Sequence, residues 1–130
     1  MLRIAAGTVV AAHGLIHLIG FVVPWGISSV EGFAYRTTAL GGAIALGDTG
    51  ARAIGIVWLA CAVGFVLAGV AIWRRASWAA PLTAALAVVS VAVCVLGLPE
   101  TSAGIVVDAA ILGAVAWVSF ARPRVREAAR

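Results

Sequence analysis

The amino-acid sequence predicts an all-α integral membrane protein, a single domain in which four membrane-spanning helices form a bundle. Of its 130 residues, 64% are hydrophobic and only 11% are charged, whereas soluble domains are about 45–50% apolar and about 25% charged. A water-soluble fold of this size would lack the polar surface to cover itself. The apolar residues form four runs, at 4–23, 51–73, 77–98 and 105–121, and each is long enough to cross a bilayer as a helix.

The positive charges predict the orientation of these helices. All nine basic residues are arginines, and seven of them lie before the first run, between the second and third runs, or after the fourth. These three places share one side of the membrane, and arginine-rich segments stay on the cytoplasmic side. We therefore predict a multi-pass protein of the bacterial cytoplasmic (inner) membrane with both termini cytoplasmic, an external loop at 24–50 and a basic cytoplasmic tail at 122–130. Because the charge reports topology, no nucleic-acid partner is predicted.

The first run carries the only two histidines of the chain, His13 and His17. Four residues make about one helical turn, so both imidazoles lie on one face. Polar groups in lipid are costly and normally face protein or a water-filled cavity. Counting 1.5 Å per residue places His17 about 9 Å and Asp108 about 6 Å below the outer surface, with His13 about 15 Å deep. This matched depth predicts that His17 and Asp108 share an outward-opening pocket, in which Trp58 packs on a ligand.

The same residues also have an ordinary structural interpretation. Asp108 could cap the fourth helix or pair with Arg52 near the surface. His13 and His17 could donate to backbone carbonyls or to Ser90 across helices. A pair of histidines four residues apart does not by itself distinguish these alternatives.

The sequence assigns no metal and no catalytic residue. A metal needs three or four ligands, and His13, His17, Asp108 and Cys61 reach that number without any ligand-spacing motif beyond the histidine pair. Two histidines on one face of a helix cannot take both axial positions of one haem, and the only methionine is the first residue, so we expect no haem within the single chain. A quinone is the candidate cofactor, and no catalytic activity of the chain's own is expected.

Two other patterns predict local structure. Short extended stretches flank Gly41 and Gly42 in the external loop, which indicates either a β-hairpin or an irregular loop at the interface. In the second run, Ala60, Gly64 and Ala68 recur every four residues. Such small residues let a neighbouring helix approach closely in lipid.

The first run resembles a known family. Arg3, Gly7 and the stretch His13-Gly14-x-x-His17-Leu18-x-Gly20-Phe21 are similar to the first helix of the DoxX-like small membrane proteins. The resemblance implies a four-helix bundle along the whole chain, although family members often carry lysine where this chain has His17. Some relatives accompany quinone-linked sulfur oxidation, so the resemblance also implies a place in a redox complex.

Three functions follow as hypotheses from different classes. The first is an accessory or structural subunit of a larger respiratory or redox membrane complex, with other membrane subunits or a second copy as partners in the lipid bilayer. The second is a quinone- or small-lipid-binding protein that uses the predicted pocket of His17 and Asp108. The third is a small oligomeric transporter or proton-conducting unit built around the histidine face.

Overall fold

A computed structural model describes the backbone of residues 1–128 and the side chains of residues 1–121. Within this part the chain is mostly helical, with five α-helices: α1 (Leu2–Ile16), α2 (Leu18–Val22), α3 (Gly47–Trp73), α4 (Ala79–Leu96) and α5 (Ser102–Ala128). Four stretches are long and apolar enough to cross a membrane, namely α1 together with α2, α3, α4 and the Ser102–Ala121 part of α5. The prediction of an all-α chain with four such helices is confirmed.

The helix bounds lie within about two residues of the predicted runs for the first and third spans and differ more for the second and fourth. Helix α3 begins at Gly47, with Asp48 in its first turn, four residues before the predicted start, because a carboxylate there interacts favourably with the amino end of a helix. Helix α5 begins at Ser102 and continues to Ala128, so the first part of the predicted tail continues this helix beyond the candidate span, which ends at Ala121. The predicted surface position of tail residues 122–130 concerns side chains outside the described residues.

The helices pack in the order α1, α3, α4, α5, with α2 also resting on α3. Helix α1 runs antiparallel to α3, and their backbones nearly touch at two glycines. A Cβ atom at Gly69 would lie 2.5 Å from the carbonyl oxygen of Gly7, and a Cβ atom at Gly7 would lie 2.7 Å from that of Gly69. Only residues without a side chain fit such an approach, which is how helices in lipid commonly associate.

The interior of the bundle is built from small and medium apolar side chains around the fully buried Phe65. The cluster at its centre consists of Val10, Cys61, Phe65, Ala68, Ala87 and Ile111. Large apolar side chains lie on the outside instead, for example Ile4, Val63, Leu67, Val88, Trp117 and Phe120. An apolar exterior of this extent is unusual for a soluble monomer and typical of helices that face lipid.

The connection between α2 and α3 contains a short β-hairpin inside an otherwise irregular segment. Strand β1 (Thr38–Ala39) pairs antiparallel with β2 (Ile44–Ala45), and a single 3₁₀ turn, Leu40–Gly42, joins them. Gly41 and Gly42 have φ angles of +63° and +101°, which glycine adopts without strain. The predicted β-hairpin is therefore present over 38–45, and the rest of the connection is an irregular loop, which was the other alternative.

The hairpin segment is held against the turn between α4 and α5. The amide of Gly41 donates to the carbonyl of Leu98 at 3.0 Å, and the guanidinium of Arg36 lies 2.5 Å from a carboxylate oxygen of Glu100. These contacts place the connection over one end of the bundle, opposite the end at which α1 begins and α3 ends.

Candidate functional site

The first apolar run is divided at His17, and this break positions an imidazole. The backbone N–H of His17 donates to the carbonyl of Gly14, three residues back, at 3.1 Å, which is the spacing of a 3₁₀ turn. The His13 carbonyl is then open to a side-chain donor, and Nδ1 of His17 lies 2.9 Å from it. A carbonyl oxygen can only accept, so Nδ1 of His17 carries a proton and its Nε2 points away from the backbone.

Four buried polar side chains from three of the four spans meet at this point, namely His13, His17, Ser90 and Asp108, and we call them the polar cluster. His13 Nε2 lies 2.9 Å from Asp108 Oδ1, and the Ser90 hydroxyl oxygen lies 2.5 Å from Asp108 Oδ2. His17 Nε2 lies 2.6 Å from the same hydroxyl oxygen. Ser90 and Asp108 are fully buried, His17 is 2% exposed and His13 is 5% exposed. The polar cluster thereby joins α1 to α4 and α5.

Aromatic rings of α3 enclose the polar cluster on one side. The Phe65 ring lies 5.0 Å from the His13 ring and 5.3 Å from the His17 ring, between centroids. The Trp58 ring lies 5.1 Å from the His17 ring. Within the described side chains, every buried nitrogen and oxygen has a hydrogen-bond partner. Enclosure by apolar groups lowers the local dielectric constant, which strengthens each of these hydrogen bonds.

The structure brings together His13, His17 and Asp108, but with a different pairing from the predicted one. His13 contacts Asp108 directly, whereas His17 reaches it through Ser90. The depth count assumed straight, upright helices and could not include the break at His17. The ordinary interpretation describes part of the arrangement, since His17 bonds both a backbone carbonyl and Ser90. Asp108 is occupied by these partners and does not pair with Arg52, which lies over the Trp25 ring.

The three small residues proposed for helix packing lie in different surroundings. Ala68 is fully buried and Ala60 is exposed. Gly64 faces α4, where a Cβ atom would lie 2.5 Å from a side-chain carbon of Leu86. The close approach of two backbones occurs instead at Gly7 and Gly69, and sequence reasoning missed that role for both. The signal that could have found it is the recurrence of glycine at positions 7 and 14 in the first run.

A cleft opens at the hairpin end of the bundle, and Trp58 is one of the residues that line it. Its volume is about 90 Å³. Residues from α2, the hairpin segment, α3 and the turn before α5 line it, including Gly20, Tyr35, Arg36, Leu46, Trp58 and Glu100. The ion pair of Arg36 and Glu100 therefore borders a cleft with largely apolar walls. Trp58, which was predicted to contact a ligand, lines this cleft and also contacts the ring of His17.

Three side chains of the polar cluster carry atoms of the kind that bind metal ions. His13, His17 and Asp108 each offer a ligand atom, and these atoms lie within 4.8 Å of one another. Both nitrogens of His17 and both oxygens of Asp108 are, however, engaged in hydrogen bonds. A metal ion would have to replace several of these bonds at once, so the arrangement fits a hydrogen-bonded cluster better than a ligand set.

One titratable group outside the apolar spans has a shifted pKa. The hydroxyl of Tyr35 donates to a carboxylate oxygen of Asp48 at 2.5 Å. This hydrogen bond stabilises the protonated phenol. The negative charge of Asp48 also disfavours a negatively charged phenolate beside it, so the pKa of Tyr35 is raised above its usual value.

These observations define a class of protein: a helical chain with four candidate membrane spans, an enclosed polar cluster at its centre and a small cleft at one end. No protein-family model matches the chain, and neither a curated protein nor a solved structure matches it. The resemblance to the DoxX-like proteins therefore stays a prediction that rests on the motif of the first helix.

Proposed function

We propose that this chain is a multi-pass protein of the bacterial cytoplasmic membrane that binds the head of a quinone or another small lipid in the cleft beside Trp58. The four apolar helices and their apolar exterior support the membrane location. The distribution of arginines supports an orientation in which the termini are cytoplasmic and the cleft faces outward. This replaces the accessory-subunit hypothesis as the leading one, because a cleft with an aromatic wall is a specific feature that a purely structural subunit does not need.

The observation that carries the proposal is the position of Trp58. Trp58 lines the cleft, and the centroid of its ring lies 5.1 Å from that of the His17 ring. A flat indole beside apolar walls suits a planar ring, which stacks on aromatic groups in offset geometry. The ion pair of Arg36 and Glu100 at the border supplies partners for the oxygen atoms of such a head.

The size of the cleft limits how the ligand would enter. Its volume of about 90 Å³ is smaller than the roughly 150 Å³ of a cavity that holds benzene. A quinone ring would therefore enter edge first and push wall side chains outward, and its tail would remain in the bilayer. A ligand with a bulky polar head would be excluded.

Tryptophan fluorescence tests the proposal, because a quinone close to an indole quenches its emission. The purified protein in mild detergent is titrated with a short-chain ubiquinone analogue. We expect saturable quenching in the wild type and in Trp117→Phe, which changes an exposed tryptophan on α5, and loss of the saturable part in Trp58→Phe. Quenching that never saturates, or that is unchanged in Trp58→Phe, would contradict the proposal.

The proposed orientation has a separate test. Reporter domains fused after Arg75 and after Arg130 should read cytoplasmic, and a reporter near Gly42 should read external. A cytoplasmic reading at Gly42 would invert the topology and place the cleft on the inner side.

The accessory-subunit hypothesis is kept as a second candidate because of α5. Only 11% of its apolar span is buried in the chain, compared with 33% for each of the other three spans. Gly113 lies on its exposed side with no atom within 4 Å of a Cβ atom placed there, so a partner helix could approach closely. Purification in mild detergent should then yield a stable hetero-complex that Gly113→Leu dissociates. A chain that purifies as a monomer would exclude this role.

A further inference from the structure

The number of hydrogen atoms that the polar cluster needs follows from its hydrogen bonds. Each of its four hydrogen bonds needs one hydrogen between its two heavy atoms. The first bond, from His17 Nδ1 to the His13 carbonyl, takes the Nδ1 hydrogen of His17, since a carbonyl has none to give. The bond between His13 and Asp108 is complete when a neutral His13 carries its hydrogen on Nε2.

The two remaining bonds share one atom, the hydroxyl oxygen of Ser90. This oxygen lies 2.6 Å from His17 Nε2 and 2.5 Å from Asp108 Oδ2. A hydroxyl group has a single hydrogen, so it can donate in only one of the two directions. The other bond needs a proton that must come from His17 or from Asp108.

Only two arrangements complete all four bonds without a net charge. In one, His17 is an imidazolium that donates from Nε2 to Ser90, and Ser90 donates to an ionised Asp108. In the other, a protonated Asp108 donates to Ser90, and Ser90 donates to Nε2 of a neutral His17. The two interconvert when one proton moves between Nε2 and the hydroxyl oxygen while another moves between that oxygen and Oδ2.

Both arrangements hold one proton more than two neutral histidines and an ionised aspartate would hold. Removing that proton leaves two acceptor atoms facing each other within hydrogen-bond distance, and adding another gives the buried group a net positive charge. Each change is unfavourable in an apolar interior. The other titratable groups that face the polar cluster are Cys61 on α3 and Cys94 on α4, both buried, and a thiol outside an activating environment is neutral at pH 7.

We propose that the polar cluster is a binding site for a single proton, which His17 and Asp108 share through the hydroxyl of Ser90. The bound proton keeps the cluster neutral and keeps α1 bonded to α4 and α5. This proposal does not rest on the proposed binding of a quinone in the cleft.

Magnetic resonance of isotope-labelled histidine and aspartate in the full-length, detergent-solubilised protein tests the proposal. At pH 7 we expect His13 to be neutral with its proton on Nε2, and His17 to be protonated on Nδ1. One additional proton should be divided between His17 Nε2 and the Asp108 carboxyl group. A neutral His17 together with an ionised Asp108 would overturn the proposal, and so would full protonation of both.

A second experiment tests the sharing through Ser90. In the wild type, the signals of His17 and Asp108 should change together on alkaline titration, with one midpoint that belongs to the pair. Ser90→Ala removes the connecting hydroxyl and should give two different midpoints. Thr83→Val is the matched control, since Thr83 is also buried on α4 but its hydroxyl donates to the Ala79 carbonyl of its own helix. Separate midpoints in the wild type, or a single midpoint in Ser90→Ala, would contradict the sharing.

Discussion

The close approach of α1 and α3 gives the sharpest prediction for stability. Replacing Gly69 by alanine would place a Cβ atom 2.5 Å from the carbonyl oxygen of Gly7 and 2.9 Å from the Cβ atom of Ala11. Ordinary contacts begin at 3.4 Å, so α1 would have to move away by about 0.9 Å over this turn. The obstructing atoms belong to a backbone and a Cβ atom, which cannot rotate aside. Overpacking of this kind destabilises a protein by about 1–3 kcal/mol.

The same substitution at Gly113 serves as the control. No atom lies within 4 Å of a Cβ atom at that position in α5, so Gly113→Ala should stabilise the helix by about 0.5–1 kcal/mol through the higher helix propensity of alanine. Equilibrium unfolding in mixed detergent micelles measures both variants against the wild type. If Gly69→Ala is as stable as Gly113→Ala, the backbones of α1 and α3 do not touch as described.

Three further predictions address the site, the hairpin segment and the α3–α4 contact. A double-mutant cycle of His13→Ala and Asp108→Asn should show a coupling of about 0.5–3 kcal/mol in unfolding free energy, because each residue is the direct partner of the other; additive effects would exclude that contact. The absorbance of Tyr35, the only tyrosine, should titrate above the usual pH range of a phenol. Asp48→Asn should shift the pKa of Tyr35 downward, since the carboxylate that stabilises the protonated phenol is lost. An unchanged titration would rule out the hydrogen bond. Gly64→Leu should lower the unfolding midpoint, since a side chain of α4 already occupies the space; an unaltered midpoint would show that α4 is not close there.

Hydropathy was sufficient to predict the helices because lipid-facing helices need long apolar stretches, and these are visible without any tertiary information. The number of spans and their approximate positions follow from that requirement alone. The break at His17 was not predictable, since no proline or glycine occupies that position and the 3₁₀ turn depends on an imidazole that replaces a backbone donor.

The predicted stripe on α3 illustrates a different limit. Residues four apart in a helix of 3.6 residues per turn drift by about 40° at each step. Ala60, Gly64 and Ala68 therefore point in successively different directions, which explains why Ala60 is exposed, Gly64 faces α4 and Ala68 is buried. Spacing identified residues that pack, but it could not say against which helix.

The sequence also could not predict which residues of the polar cluster bond to each other. Three residues were identified from their polarity inside apolar runs, because unpaired polar groups are costly there. Ser90 was named only as one alternative partner of the histidines, and nothing in the sequence indicated that it also contacts Asp108. Its role depends on the packing of α4 against α5 and α1, which places its hydroxyl between His17 and Asp108.

The position of Trp58 links the cleft to the polar cluster. Trp58 lines the cleft and its ring contacts the His17 ring, and this ring packs so closely against α2 that a Cβ atom at Gly20 would collide with it. A ligand ring that displaces Trp58 on entering the cleft would therefore change the surroundings of His17 and the bonds that hold the shared proton. Coupling between two sites is reciprocal, so loss of the proton should change quinone affinity by the same factor by which quinone changes proton affinity. We expect the alkaline midpoint of the His17 signal to shift when a short-chain quinone saturates the protein, and no shift would show that the two sites act independently.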